Sequence, residues 1–530
     1  MKSRHLWFVA LAIFTLASGA LAGHTGKRII LGIPQDEGEL TPYTYVTGYP
    51  GWNLMSLVFD TLMLNDLNDV PKPWLAESVS SANGGRQWTI KLREGVKWHD
   101  GKPLTSADVK FSYEYYKKYP LVGRFATAVR PISEIRTPDE RTVVITLPRP
   151  EANFQLAPLA DAPILPKHIW ESVTDPRGFK NAIGSGPFKL VEHRADQSYR
   201  LVENPDYFGG KPGADEVVLS VIKDATSTFQ ALRAGQISAT SREVLPELIQ
   251  TFSNDRNLKV VRGPGYASTI FQFNVTIAPF NQPLFRQTVA GLIDTKVLVD
   301  TILLGNGTPG NPGYVHPESP FYSQASRAYK RLTPAEAGRN LDSLGYRPGP
   351  DGIRVGKDGK KLEFTLLVQS NNPLRIRAAE IIAQQVRPAG IVFNVKSLDP
   401  TTVQQAVWPD FDVAKGRNFE VAMFGWSAPV TSQLNLPGLF NSNPAVGTIN
   451  IGGYKNATID SLTERMRTTV DLEQRKQLAA SVQAIVANDL PFITLWYGDG
   501  VYAYRPEAYD GWKLQKGQGI IHKRSFVQEK

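Results

Sequence analysis

The segment from Trp88 to Tyr116, WTIKLREGVKWHDGKPLTSADVKFSYEYY, restricts the fold more than any other part of the chain. Trp88, Ile90 and Leu92 alternate with Thr89, Lys91 and Arg93, the period of a strand buried on one face. Glu94-Gly95 ends that strand. Val96 to Trp98 resumes it briefly before Asp100-Gly101, a dipeptide suited to a tight turn. Thr105-Ser106-Ala107-Asp108 has the pattern of a capping box, so a helix is expected to open there.

The same mixture runs through the sequence. Gly, Pro and short apolar runs alternate throughout, which reads as a mixed α/β chain with many short connections, no solenoid period and no low-complexity tract. Thr226 to Gly235 (TSTFQALRAG) reads as a short helix with Phe229 and Leu232 inward and Gly235 as its stop. Leu362, Phe364, Leu366 and Val368 alternate as a strand, and Ile376, Ala379, Ile382 and Val386 follow at helical spacing. Leu472 to Asp489 is an amphipathic helix stopped before Pro491, and Leu495-Trp496-Tyr497 reads as a short buried strand. A chain of 530 residues is too long for one core and implies two or three domains.

Lys2 and Arg4 precede a mostly apolar run from Leu6 to Leu16, and Ala20-Leu21-Ala22 supplies the small-x-small pattern of a processing site. Residues 1–22 therefore read as a cleavable export signal rather than a membrane anchor, for which the run is short. The sequence has no cysteine, which excludes disulfides, thiol catalysis and a lipid-modified cysteine at the cleavage site. Export without a lipid anchor points to the periplasm of a two-membrane bacterium. Net charge is +9, but the basic residues are dispersed, as on a solvated surface rather than a nucleic-acid footprint.

Several segments agree in register with a known family. Trp88 to Tyr116 closely resembles the signature of the family 5 solute-binding proteins of ABC importers, which bind oligopeptides, dipeptides, nickel complexes, opines or oligosaccharides. Lys27 to Gly32 (KRIILG) resembles the family's opening strand, and Asn181 to Leu190 (NAIGSGPFKL) the strand that returns to the first domain. Glu203 to Lys211 (ENPDYFGGK) resembles its asparagine-proline-aromatic turn. Phe271 to Asn274 and Pro279 to Asp294 resemble its entry into the last large domain. The resemblance implies an α/β, periplasmic binding protein-like fold with two lobes around a ligand cleft and an extra subdomain in the first lobe. Lobe one would take residues 23–66, 183–270 and 495–530, the subdomain 67–182, and lobe two 271–494. It further implies a monomer that captures a small-molecule or peptide ligand by hinge closure and delivers it to ABC transporter permease subunits in the inner membrane.

Catalytic constellations are missing. The sequence has no G-x-S-x-G, H-E-x-x-H or P-loop motif, and no two of its seven histidines share an i, i+4 spacing. No catalytic residue, metal site or cofactor is assigned, and a secreted hydrolase is the weakest reading. Trp98-His99-Asp100 invites a dyad, but it lies in a hairpin signature that the family keeps without enzyme activity. Gly305-Asn306-Gly307, beside Pro309 and Pro312, reads as a loop.

Phe419 to Trp426 (FEVAMFGW) is the sharpest functional clue. In peptide-binding relatives the strand and loop around the glycine-tryptophan pair line the cleft. Exposed main chain there pairs with an extended ligand, and a tryptophan face gives a large rigid contact. The resemblance therefore implies that Gly425, Trp426 and Ser427 touch ligand; the alternative is that Trp426 is core. Tyr45 lies in the loop after the first strand with Tyr43 and Trp52, Asn274 at the domain crossover, and Trp496 and Tyr497 near the second hinge. Arg375 or Arg377 would meet a carboxylate through a bidentate fork. Many peptide binders carry an aspartate three residues past the tryptophan, for the peptide's amino terminus; this chain has Pro429. Either Asp36, Glu37 or Glu39 meets an amine, or the ligand has none. Peptide is the first expectation, with an oligosaccharide or an opine left open.

Overall fold

The computed structural model describes residues 27–45, 49–326, 328–426 and 435–527. The expected export signal, Ser427 and Pro429 lie outside the described residues. Helix Ser106–Lys118 opens where the capping box predicts it, with the Thr105 N–H donating to Asp108 Oδ2 at 2.8 Å. Strand Gln87–Leu92 buries Trp88, Ile90 and Leu92 and leaves Thr89 and Lys91 in water. It belongs to a four-stranded antiparallel sheet ordered Ala76–Ala82, Gln87–Leu92, Thr142–Thr146, Glu134–Asp139.

An eleven-stranded mixed sheet forms the spine of the molecule. One half runs Val392–Leu398, Glu363–Gln369, Val421–Trp426, and the other runs Arg28–Ile33, Glu216–Val221, Ser198–Glu203, Phe188–Arg194. Strands Lys259–Phe273 and Phe492–Tyr504 lie between the halves, with the short Ala239–Thr240 and Gly307–Pro309 against Phe492–Tyr504. Alternation divides the side chains between the faces. Phe271, Phe273, Val421, Met423, Leu366 and Val368 enter one core, while Ile270, Ala422, Phe424 and Leu367 enter another. In the other half, Ile29, Leu31 and Ile33 share a core with Trp88, Tyr113 and Trp170 of the smaller sheet and its helices, and with Phe526 near the C-terminus. The smaller sheet is thus built into one lobe, and the fold is two-lobed.

The two long strands carry the chain between the lobes. They pair from Lys259↔Tyr504 to Pro264↔Asp499 and again from Ser268↔Tyr497 to Gln272↔Phe492, with a register shift between Pro264 and Ser268. Gly265 sits in that shift, where a Cβ would come within 2.3 Å of the Gly498 carbonyl oxygen, so only glycine fits. The short strand expected at 495–497 is in fact Phe492–Tyr504, which continues through Gly498 and Gly500; those glycines hide it in the sequence pattern. No helix of the described residues is long and apolar enough to cross a membrane.

Candidate functional site

Strand Val421–Trp426 is buried from Val421 to Phe424 and becomes half-exposed at Gly425 and Trp426. Register places Gly425 opposite Thr269 and Trp426 opposite Ser268, just beyond the shifted stretch of the crossing strands. The strand's apolar run ends where the core ends, and its last two residues emerge at the junction between lobes.

Arg375 lies over this strand end. It sits in the first turn of helix Pro373–Val386, where Asn372 Oδ1 accepts its backbone N–H at 3.0 Å. Its guanidinium occupies the space that a side chain at residue 425 would fill: a Cβ on Gly425 would lie 2.0 Å from Arg375 Nη2. Arg375 Nε is enclosed and has no hydrogen-bond partner among the described residues. Burial pulls the pKa of the group down to about 10. A desolvated cation without a counter-ion is costly, and an incoming anion relieves the cost. Arg377 is exposed and offers no such enclosure.

Aromatic rings adjoin the same place. Trp426 packs edge-on against Phe424, with centroids 5.3 Å apart, and against Trp408, with centroids 5.7 Å apart. Trp408 follows helix Pro400–Val407, and neither its indole N–H nor that of Trp426 has a partner among the described residues. Arg375, Trp408 and Trp426 thus present unsatisfied donors, which suits a ligand rich in acceptor oxygens.

On the first lobe, Tyr45 lines an open depression of about 640 Å³ together with Glu39, Tyr43, Leu121 and Val122. Its ring lies 6.2 Å from that of Phe125, and burial pushes its hydroxyl pKa up to about 12. Asp36 fastens the loop. Its carboxylate accepts from Tyr199 Oη at 2.5 Å, His193 Nε2 at 2.8 Å, the Gly38 N–H at 2.7 Å and the Asp196 N–H at 2.7 Å. Burial opposes ionisation there, but these hydrogen bonds prevail and hold Asp36 below the usual carboxylate range. His193 Nδ1 lies 3.2 Å from Glu39 Oε2, so Asp36 and Glu39 are both engaged by His193.

Three expected ligand residues are interior. Asn274 is buried; its Nδ2 donates to the Phe419 carbonyl at 2.9 Å, and its Oδ1 accepts from Thr276 Oγ1 at 2.6 Å. Trp496 is packed into the second lobe's core with Phe271 and Phe273. Tyr497 is buried and donates its hydroxyl to the Tyr314 carbonyl. They hold the crossover and the crossing strands together. Trp52 is also buried, with its indole N–H on the Asp161 carbonyl at 3.0 Å. His99 is bound to backbone at Gly184 and Gly186, and Asp100 bonds His168 Nε2 at 2.7 Å. Among the described residues, no group of three or more His, Asp or Glu is placed to hold a metal ion. Sequence reasoning missed Trp408. It carries no motif, and only the three-dimensional packing brings it to Trp426.

Comparison with known proteins agrees with this architecture. Residues 70–447 match the family model described as "Bacterial extracellular solute-binding proteins, family 5 Middle". The chain is 28% identical over 537 residues to the oligopeptide-binding protein AppA of Bacillus subtilis, covering 97% of this chain and 96% of that protein. It superimposes on the structure of that protein with a bound nonapeptide at a TM-score of 0.76, with 26% identity over 95% of this chain and 99% of that one. It superimposes on NikZ of Campylobacter jejuni, in complex with Ni(L-His), at a TM-score of 0.78 with 24% identity over 94% of this chain and 99% of that one.

Proposed function

The chain belongs to the bacterial extracellular solute-binding proteins of family 5, and from that premise we propose that it is the periplasmic binding component of an ABC importer, with a peptide as its ligand and Arg375 as the seat of the ligand's carboxylate. The lobes close about the shifted stretch of the crossing strands, and the closed form docks on the membrane permease. The function needs capture and release and no covalent step.

The observation that carries this reading is the guanidinium of Arg375 over Gly425, with its Nε enclosed and unpartnered among the described residues. A carboxylate there gains charge-assisted hydrogen bonds and offsets the desolvation of the guanidinium. Trp426 contributes a rigid aromatic face beside it. A micromolar dissociation constant corresponds to about −8 kcal/mol, within reach of one such ion pair and a few aromatic and main-chain contacts. Likeness to the nonapeptide-bound AppA supports the peptide class.

One specific observation favours a second reading, an opine or another ligand without a free amine. Pro429 stands where peptide binders carry the amine-pairing aspartate, and His193 already engages Asp36 and Glu39. Such a ligand would still use Arg375 if it carries a carboxylate.

Calorimetry with di- to nonapeptides, each as the free acid, the carboxyl-terminal amide and the N-acetyl form, tests the proposal. Binding of free acids with loss of the amides, and loss of the free acids in Arg375→Ala, is the expected result. Equal binding of acids and amides overturns the role of Arg375. Silence for every peptide while a non-peptide carboxylate binds favours the second reading.

A further inference from the structure

The loop that follows Trp408 has a feature that the capture of a carboxylate does not use. Phe411 is 66% exposed, a costly position for a large apolar ring. Its backbone and that of Asp410 are both left-handed, with φ of 58° and 48°. Two successive residues with side chains rarely adopt this conformation, and it persists only where the surroundings impose it.

The surroundings do impose it. Asp410 accepts from Lys415 Nζ at 2.9 Å and from Gln405 Nε2 at 3.3 Å. The Asp412 N–H donates to the Pro409 carbonyl at 2.9 Å, and Gln404 Nε2 donates to the Trp408 carbonyl at 3.0 Å. The loop is tied down on both sides of Phe411 and presents its ring to water. That ring meets Trp408 edge-on with centroids 5.1 Å apart, and Trp408 meets Trp426 in the same way. A continuous aromatic row therefore runs from exposed Phe411 to the strand end under Arg375. Trp408 adds an indole donor that is unpaired among the described residues.

A solvated loop has no need of a strained backbone that holds a phenylalanine in water. We propose that Phe411, Trp408 and Trp426 form a specificity platform for an apolar or aromatic side group of the same ligand whose carboxylate sits at Arg375. The inference rests on the proposed function and extends it from the ligand's charged end to its side chains. Phe411 supplies the face that is exposed before binding, and Trp408 supplies the ring that orients it and a donor for a ligand carbonyl.

The test is calorimetry with penta-alanine and with five pentapeptides in which one phenylalanine is scanned through an alanine background. The wild type is expected to bind at least one phenylalanine peptide tenfold or more tighter than penta-alanine. Phe411→Ala is expected to reduce that ratio to below threefold, with penta-alanine affinity and melting temperature nearly unchanged, and Phe411→Leu to restore part of it. Trp408→Phe keeps the ring and removes the donor, so it should weaken all the peptides alike. A wild type that binds peptides without discrimination, or a Phe411→Ala variant that keeps the discrimination, overturns the platform and leaves the peptide reading standing. A wild type that binds none of the six overturns both.

Discussion

Arg475 of helix Leu472–Asp489 donates Nη1 to the Ala152 carbonyl at 2.9 Å, joining the second lobe to the small sheet's side of the first. It also reaches Asn153 Oδ1 at 3.3 Å, and the Ala152 N–H donates back to the Arg467 carbonyl at 2.8 Å. The guanidinium lies over Phe321, 5.3 Å from the ring centroid. This latch is separate from the crossing strands and bridges the lobes.

A contact that exists only when the lobes are together shifts the unliganded equilibrium toward closure. Arg475→Ala should therefore open the ligand-free protein. Small-angle scattering is expected to give a larger radius of gyration for the unliganded variant and an unchanged value with ligand. Apparent affinity should fall by a few-fold for every ligand alike, since only the competent fraction changes. Superimposable unliganded profiles would sink the idea.

Gly425→Ala places a methyl group 2.0 Å from Arg375 Nη2 and 2.5 Å from the Ser268 carbonyl oxygen. Swinging Arg375 away relieves the first clash, while the second lies against the paired strand backbone, so the substitution displaces Arg375 and also strains the strand end. Losing a buried charge pair costs about 2–5 kcal/mol in binding. Calorimetry with a carboxylate-bearing ligand should show Gly425→Ala nearly as damaging as Arg375→Ala, and the double variant little worse than either. Additive losses would mean that the two residues act separately.

Much of this was legible in the sequence, for identifiable reasons. Period-two alternation gave the strands around Ile90 and Leu366, and local capping chemistry gave the helix after Thr105, because both are decided within a few residues. Gly425 and Trp426 drew attention by resemblance, whereas Arg375 stood level with Arg377 as a carboxylate partner, since the sequence does not show which of the two is enclosed. The inward hydrogen bonds of Asn274 and Tyr497 were not legible, because polar and aromatic residues near a crossover satisfy their hydrogen bonds inward as readily as outward. Trp408 and Phe411 were invisible, since their meaning lies in ring contacts and positive φ angles that no spacing rule encodes.

Acid should destabilise the protein through its buried histidines. His99 Nε2 donates to the Gly186 carbonyl at 3.0 Å while Nδ1 accepts the Gly184 N–H at 3.3 Å, an arrangement open only to the neutral ring. Burial lowers its pKa from 6.5 to about 4. His522, whose Nε2 donates to the Lys513 carbonyl at 2.8 Å, is lowered to about 4 for the same reason. A depressed folded-state pKa means that the unfolded chain binds the proton first as pH falls. The stabilisation is whole above about pH 6.5 and is lost progressively down to about pH 4. Melting temperature should decline across that window, and His99→Gln should flatten part of the decline. A wild-type melting curve constant from pH 7 to 4 would contradict this.

Lys523 holds the C-terminal segment to the first lobe through a buried ion pair with Asp60. Its Nζ also donates to the Phe59 carbonyl at 2.9 Å, and both residues are almost wholly enclosed. Asp60 takes further hydrogen bonds from Trp74 Nε1 and Ser185 Oγ, each at 2.9 Å, and from Tyr207 Oη at 3.1 Å. Burial lowers the pKa of Lys523, and the Asp60 carboxylate opposes that shift. Removing only the cation leaves a buried carboxylate facing neutral donors, so Lys523→Met should cost about 3–5 kcal/mol. Removing both charges leaves no ion to desolvate, so Lys523→Met with Asp60→Asn should be less destabilised than Lys523→Met alone. Urea midpoints measure both, and limited proteolysis near residue 512 reports whether the segment has come loose. A single variant as stable as the wild type would show that the pair fastens nothing, and a double variant worse than the single would show that the cost lies in lost hydrogen bonds rather than in stranded charge.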